Sequence, residues 1–129
     1  MTDAILLIED NEQNRYLATF LLEKKGYTVV SASDGPAGIR QAAALAPRLI
    51  LLDIQLPSMD GYAVARKLRE NPALDGTPIV AVTSYAMPGD REKVLASGCN
   101  GYIEKPIHPE TFVAEIEDYM TKPKQEGSS

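Results

Sequence analysis

Short apolar runs alternate with helical patterns along this chain. The apolar runs are continuous, which is typical of strands buried on both faces of a sheet. They lie at residues 4–8, 28–32, 49–52, 79–82 and 101–103. The segments between and after them carry apolar residues at helical spacing and begin near residues 11, 34, 62, 90 and 109. The pattern therefore predicts five strands and five helices in strict alternation.

The helical segments have recognisable beginnings and ends. In the first, residues 11–25, the spacing of Leu17, Phe20 and Leu21 predicts one buried face, and Gly26 predicts the end of the helix. In the second, Asp34-Gly35-Pro36 predicts the beginning, and the helix is expected to end before Pro47. We expect the acidic residues of the fifth helix to form a solvated face: Glu115, Glu117 and Asp118.

Alternation of this kind predicts right-handed βαβ units and a parallel sheet covered by helices on both faces. For five strands the common doubly wound, flavodoxin-like order is 2-1-3-4-5. A chain of 129 residues has room for one such α/β domain. We assign the domain to residues 1–120 and predict a disordered polar tail over residues 121–129.

Composition narrows the classes of function. The net charge is −5 with no basic cluster, which argues against nucleic-acid and membrane partners. The chain has no apolar run long enough to cross a membrane and no signal-peptide pattern. A single cysteine excludes an internal disulfide and fits the reducing cytoplasm, where we expect the protein to reside.

Chemically active residues follow four of the predicted strands. In chain order these residues are Glu9 and Asp10, Asp53, Thr83 and Ser84, and Lys105 and Pro106. Ligands of doubly wound sheets bind at the carboxyl ends of the strands. Any one of these residues alone is more simply a helix cap, a turn residue or a surface lysine. Together they predict a functional site at one rim of the sheet.

The residue types suggest phosphoryl chemistry at that rim. Three carboxylates repel one another unless a cation neutralises them, and carboxylates with water suit Mg²⁺ better than Ca²⁺ or zinc. A carboxylate can also attack phosphorus and form an acyl phosphate, for which Asp53 at the end of the central strand is the best candidate. Lys105 and Thr83 would then contact the transferred group.

The residues at the ends of these strands, together with their neighbours, resemble the motifs of a known family. The matching segments are residues 8–11, 51–61, 80–84 and 101–106. In order and spacing they resemble the receiver domain of bacterial two-component response regulators over almost the whole chain. The similarity is greatest to stand-alone receivers of the cell-cycle type and to receivers of hybrid kinases.

The resemblance implies a role for each matching residue. Asp53 would accept a phosphoryl group from the phosphohistidine of a histidine kinase or a histidine phosphotransferase. Asp10 and Asp53 would ligate Mg²⁺ directly, with the backbone carbonyl of Gln55 as a further ligand. Glu9 would hold the metal through water, and it stands where the family more often has aspartate.

The remaining matches imply a switch. Lys105, Thr83 and Ser84 would contact the phosphoryl group, and Tyr102 would turn inward as Thr83 moves. The Lys105–Pro106 peptide bond would be cis. A downstream protein target would bind the face formed by the fourth helix, fifth strand and fifth helix. Exposed residues at the start of the first helix, such as Asn14 and Arg15, are candidates for kinase docking.

The expected function is thus a phosphorylation-controlled switch rather than an enzyme that turns over a substrate. The alternatives are a receiver excised from a hybrid histidine kinase and a docking module that acts without phosphorylation. The Met1 start mildly favours a stand-alone protein. A phosphatase is disfavoured because Gln55, not an acid, stands two residues after Asp53, and a flavin carrier because Glu9 and Asp10 would repel a bare phosphate.

Overall fold

The protein was analysed as a computed structural model that describes residues 3–56, 59–84 and 89–121. All strands are parallel and form one sheet in the order β2-β1-β3-β4-β5. This confirms the predicted doubly wound arrangement. The strands are β1 (Ile5–Ile8), β2 (Val29–Ala32), β3 (Leu49–Asp53), β4 (Ile79–Thr83) and β5 (Gly101–Glu104).

A helix follows each strand, and a short 3₁₀ helix at Pro72–Leu74 precedes β4. The side chains of Asn11, Asp34 and Asp60 accept a hydrogen bond from the backbone N–H three residues later and so begin the first three helices. The helices are α1 (Glu12–Lys24), α2 (Gly35–Leu45), α3 (Gly61–Arg69), α4 (Asp90–Ala96) and α5 (Phe112–Thr121).

The core consists of two hydrophobic clusters, one on each face of the sheet. Leu6, Ile8 and Leu52 pack with residues of α2, α3 and α4. Their neighbours along the strands, such as Leu7 and Leu51, pack with residues of α1 and α5 on the other face. Because every residue of β1, β3 and β4 is buried, these strands read as continuous apolar runs.

The buried face of α1 differs from the prediction. Ala18 and Leu22 are buried, whereas Phe20 is 49% exposed and stacks on Tyr16, which is 72% exposed. Two residues turn an α-helix by about 200°, so Phe20 lies on the side opposite Ala18 and Leu22. The expectation that Phe20 belongs to the core was therefore wrong.

The ends of α5 also differ. The helix begins at Phe112 rather than at Pro109, because the carbonyl of His108 accepts from Thr111 and Phe112 and residues 109–111 form a turn. Thr121, which we placed in the tail, is the last residue of α5. Residues 122–129 lie outside the described part of the chain, and the disordered tail stays a prediction.

Within the described ranges, no helix combines the length and the apolar character that a membrane span requires.

Candidate functional site

The candidate site lies at the carboxyl ends of the strands. Asp53 is the last residue of β3, Thr83 is the last residue of β4, and Glu9 directly follows β1. Backbone hydrogen bonds between neighbouring strands extend to these residues. The N–H of Glu9 donates to the carbonyl of Ala32 at 3.0 Å, and the N–H of Lys105 donates to the carbonyl of Thr83 at 2.8 Å. Backbone hydrogen bonding thus fixes where each side chain starts.

Three carboxyl groups meet at this rim, as the alternation predicts. One oxygen from each of Glu9, Asp10 and Asp53 lies within 4.8 Å of the other two. Glu9 and Asp53 are almost fully buried, whereas Asp10 is exposed. The cluster therefore has an interior side and a side open to solvent.

Lys105 is the cation of the cluster. Its Nζ lies 3.3 Å from Asp53 Oδ1 and 3.5 Å from Glu9 Oε1. When every group is ionised, three carboxylates and one ammonium leave two negative charges in excess. A divalent cation would balance that charge.

Glu9 titrates abnormally in this environment. Its pKa is raised from 4.5 to about 7, first because burial penalises the charged form and then because Asp53 shares a hydrogen bond with it and repels its charge. The N–H of Asn11, 3.2 Å from Glu9 Oε2, and the charge of Lys105 oppose the rise in pKa. In the absence of a metal, a proton at Glu9 therefore relieves part of the repulsion.

The donor set fits a hard divalent metal ion. All three candidate ligands are carboxylate oxygens, which Mg²⁺ prefers over nitrogen or sulfur. The exposed position of Asp10 leaves room for the waters that Mg²⁺ retains. Asp10 and Asp53 would hold the ion, with Glu9 as the third acid.

The loop between β1 and α1 is held by a residue of α1 whose role the sequence did not reveal. Arg15 Nη1 donates to the carbonyls of Glu9 and Asp10, at 3.0 Å each. We had considered Arg15 only as a docking residue. The sequence did contain one indication of this role: an arginine lies soon after the acidic pair, close enough to reach back to the loop that carries both acids.

The loop after β3 lies against the end of β4. Asp53 Oδ1 accepts from the N–H of Gln55 at 2.9 Å, and Gln55 Oε1 accepts from the N–H of Ser84 at 3.5 Å. The amide nitrogen of Gln55 is buried and has no hydrogen-bond partner among the described residues. Gln55 thus joins the end of β3 to the end of β4.

The other predicted site residues lie around this centre. Thr83 is buried, Ser84 is exposed, and Tyr102 is half-buried against the cluster that contains Leu6 and Ile8. The Lys105–Pro106 peptide bond is cis. Residues 57–58, which fall within the family-like segment 51–61, and residues 85–88 lie outside the described ranges.

Comparison with known proteins assigns the family. The family model of the response regulator receiver domain matches residues 5–126. The chain belongs to the response regulator receiver family. The receiver is 38% identical over 120 residues to the polar-differentiation response regulator DivK of Brucella ovis, covering 93% of this chain and 98% of DivK. DivK of Brucella anthropi is 38% identical over the same length.

Solved receiver structures share the fold. The receiver domain of a sensor histidine kinase from Pseudomonas aeruginosa, with a magnesium ion coordinated in its active site cleft, superposes with a TM-score of 0.85 at 33% identity. That comparison covers 95% of this chain and all of the other. The chemotaxis protein CheY4 of Vibrio cholerae gives a TM-score of 0.87 at 25% identity, over 92% of this receiver and 99% of CheY4.

Proposed function

We propose that this receiver is a phosphoacceptor switch in which Asp53 takes a phosphoryl group from a histidine kinase or a histidine phosphotransferase in a Mg²⁺-dependent reaction. The observation that carries the proposal is the position of Asp53. It is buried at the end of the central strand, 3.3 Å from the ammonium of Lys105, with two further carboxylates beside it.

The step forms a bond between an Asp53 carboxylate oxygen and phosphorus and breaks the phosphorus–nitrogen bond of the donor histidine. Its product is an acyl phosphate. Lys105 is placed to neutralise charge on the transferred oxygens. Asp10 and Asp53 would hold Mg²⁺, which when bound would supply the same kind of charge neutralisation. Water would later release the group from Asp53 as phosphate.

The change of charge at Asp53 gives the switch its driving force. In the unphosphorylated chain Lys105 bridges Glu9 and Asp53. A phosphoryl group offers Lys105, Thr83 and Ser84 new acceptors and so favours a different arrangement of the β4 end. Tyr102, half-buried on the neighbouring strand, is the residue we expect to turn inward as Thr83 moves.

Two surfaces are candidates for partners. Next to the site, α1 exposes Tyr16 and Phe20, and we assign kinase or phosphotransferase docking to this face. At the β5 edge of the sheet, α4, β5 and α5 border a cleft of about 350 Å³ to which Arg91, Tyr102 and Glu115 contribute, and we assign the downstream target to it. We place the receiver in the cytoplasm as a regulatory domain that modifies only itself.

Intact-protein mass spectrometry tests the proposal directly. The receiver is incubated with a small phosphodonor, with and without Mg²⁺, as wild type and as Asp53→Asn. We expect one added phosphoryl group that requires both Mg²⁺ and Asp53. An adduct that persists in Asp53→Asn would place the phosphoryl group on another residue and overturn the role of Asp53. No adduct, even when samples are quenched within seconds, would favour a docking module that acts without phosphorylation.

A further inference from the structure

Arg15 connects α1 to the acidic pair through the backbone. The residue lies on the first turns of α1, and its side chain turns back toward the end of β1. One guanidinium nitrogen donates to two consecutive carbonyls, those of Glu9 and Asp10, at 3.0 Å each. Hydrogen bonds from a charged donor are stronger than neutral ones, so these two contacts restrain the peptide units that carry both acids.

Other hydrogen bonds make the loop and the helix start one unit. The N–H of Asn11 donates to Glu9 Oε2 at 3.2 Å, and the side chain of Asn11 accepts from the N–H of Asn14 at 2.9 Å. The N–H of Arg15 itself donates to the carbonyl of Asn11 at 2.9 Å. The loop therefore has little freedom while the guanidinium is in place.

The acids need such a restraint. Glu9, Asp10 and Asp53 have oxygens within 4.8 Å of one another, and like charges at that distance repel. Asp10 is exposed, so burial does not hold its carboxylate toward the other two. Without an anchor on its backbone, the loop could relieve the repulsion by moving the acids apart.

We propose that Arg15 is a positioning residue for the cation site: by holding the carbonyls of Glu9 and Asp10, it keeps their carboxylates converged with Asp53 before a divalent cation arrives. The inference rests on the proposed function, because it presupposes that these acids bind the cation. Arg15 touches neither the reacting atoms nor the cation and acts only through the loop.

The sign of the effect separates positioning from simple electrostatics. A guanidinium near a cation site repels the cation, so if its charge alone mattered, removing Arg15 would tighten Mg²⁺ binding. If Arg15 positions the acids, removing it weakens binding even though a positive charge has gone. Substituting residues that orient metal ligands typically weakens metal binding by about 10- to 100-fold.

The test measures Mg²⁺ binding by calorimetry on the full chain, with Mg²⁺ alone as the probe. Arg15→Met removes the guanidinium, and Arg15→Lys keeps the charge but replaces the planar guanidinium with an ammonium on a different stem. Arg40→Met, which removes an exposed arginine on α2, is the matched control. We expect about tenfold weaker binding in Arg15→Met, a loss of the same sign in Arg15→Lys, and no change in Arg40→Met.

A second readout excludes a merely structural role. The rate of phosphorylation by a small donor is followed against Mg²⁺ concentration. We expect the half-saturating Mg²⁺ concentration to rise about tenfold in Arg15→Met, with the rate at saturating Mg²⁺ nearly unchanged. Loss of helix stability alone would lower the urea midpoint and leave the half-saturating concentration of the folded protein where it was.

Mg²⁺ binding that is unchanged or tighter in both Arg15 variants would overturn the inference. If Arg15→Met does not fold, the Mg²⁺ affinity of Arg15→Lys alone decides. An Asp10→Asn variant distinguishes this failure from failure of the proposed function. If the wild type binds Mg²⁺ and Asp10→Asn does not, only the role of Arg15 is at stake. If the wild type does not bind Mg²⁺, the proposed metal site and the role of Arg15 both fall.

Discussion

The Glu9 carboxyl group is held from three directions. Lys105 approaches one oxygen, the N–H of Asn11 donates to the other, and Asp53 shares a hydrogen bond with the group. Glutamate is one methylene longer than aspartate, and its buried carboxyl group reaches both Lys105 and Asp53. A single side chain thus links the titration of the site to its ion pair.

We expect Glu9 to make the metal-free receiver lose stability as the pH rises from about 4.5 to about 7. The pKa of Glu9 is raised in the folded chain, so over this range the folded state binds more protons than the unfolded state. The free energy of unfolding changes with pH in proportion to the protons bound by the unfolded state minus those bound by the folded state. This difference is negative here, so stability decreases as the pH rises.

Urea unfolding of the wild type and Glu9→Gln at pH 5 and pH 7.5, with chelator present, measures this contribution. The stability of Glu9→Gln relative to the wild type should be higher at pH 7.5 than at pH 5. Glu12→Gln, which changes an exposed acid at the start of α1, is the control and should show no such difference. A relative stability of Glu9→Gln that does not vary with pH would contradict the expectation.

Among the secondary-structure elements, α3 packs unusually close to the end of β3. The N–H of Gly61 donates to the carbonyl of Ile54 at 2.9 Å. A Cβ at position 61 would lie 2.4 Å from Ile54 Cα and 2.8 Å from the carbonyl oxygen of Asp53. Only glycine allows the helix to begin against this backbone, so position 61 controls how α3 meets the site.

Gly61→Ala should therefore destabilise the receiver by about 1–3 kcal/mol, the usual cost of overpacking, since backbone atoms cannot move aside as a flexible side chain can. Gly76→Ala is the matched control, because a Cβ there meets nothing within 4 Å. Thermal or urea unfolding of the two variants measures the difference. Equal stability of both variants would show that α3 can shift without cost.

Phe20 on α1 allows docking and folding to be separated. Because the ring is 49% exposed, Phe20→Ala should change the free energy of unfolding by no more than about 0.5 kcal/mol. In the same variant we expect phosphoryl transfer from a phosphorylated histidine kinase or phosphotransferase to slow about tenfold, since aromatic anchors dominate protein interfaces. Phosphorylation by a small donor should be unaffected.

Leu95→Ala provides the comparison for Phe20→Ala. Leu95 is exposed to a similar extent, 44%, but lies on α4. Its variant should receive the phosphoryl group from the protein donor at the wild-type rate. Slow transfer in Leu95→Ala with normal transfer in Phe20→Ala would move the docking face from α1 to α4.

The elements and the rim of the sheet were predictable because they follow from local periodicity. Buried strands show as apolar runs, and parallel strands bring residues such as Glu9, Asp53 and Lys105 to one edge whatever the details of packing. Phe20 was misplaced because the angular position of a helix depends on the sheet it packs against, which spacing within the helix does not determine.

Contacts between distant or flexible side chains were not predictable. The hydroxyl of Tyr27 donates to Glu117 Oε2 at 2.6 Å across 90 residues, so Glu117 is half-buried, whereas the sequence suggested a solvated residue. The bonds of Arg15 to backbone carbonyls depend on the path of the loop rather than on any residue pattern. Neither contact has a local signature in the sequence.

For the whole molecule, cation binding should add directly to stability. A ligand that binds only the folded state stabilises it by about 2.7 kcal/mol at a concentration 100 times its dissociation constant. We expect Mg²⁺ to raise the urea midpoint of the wild type and chelator to reverse the effect. Asp10→Asn should respond far less, and an equal response would place the ion elsewhere.

The distribution of the site along the sequence has a consequence for synthesis. Glu9, Asp53 and Lys105 lie at the ends of the first, third and fifth strands, so Asp53 acquires its neutralising ammonium only when β5 joins the sheet. A nascent chain still emerging from the ribosome, or one cut before residue 105, has Asp53 but not its pocket. Under the proposed function, competence to be phosphorylated would report that the receiver has finished folding, and incomplete chains would not draw phosphoryl groups from a donor.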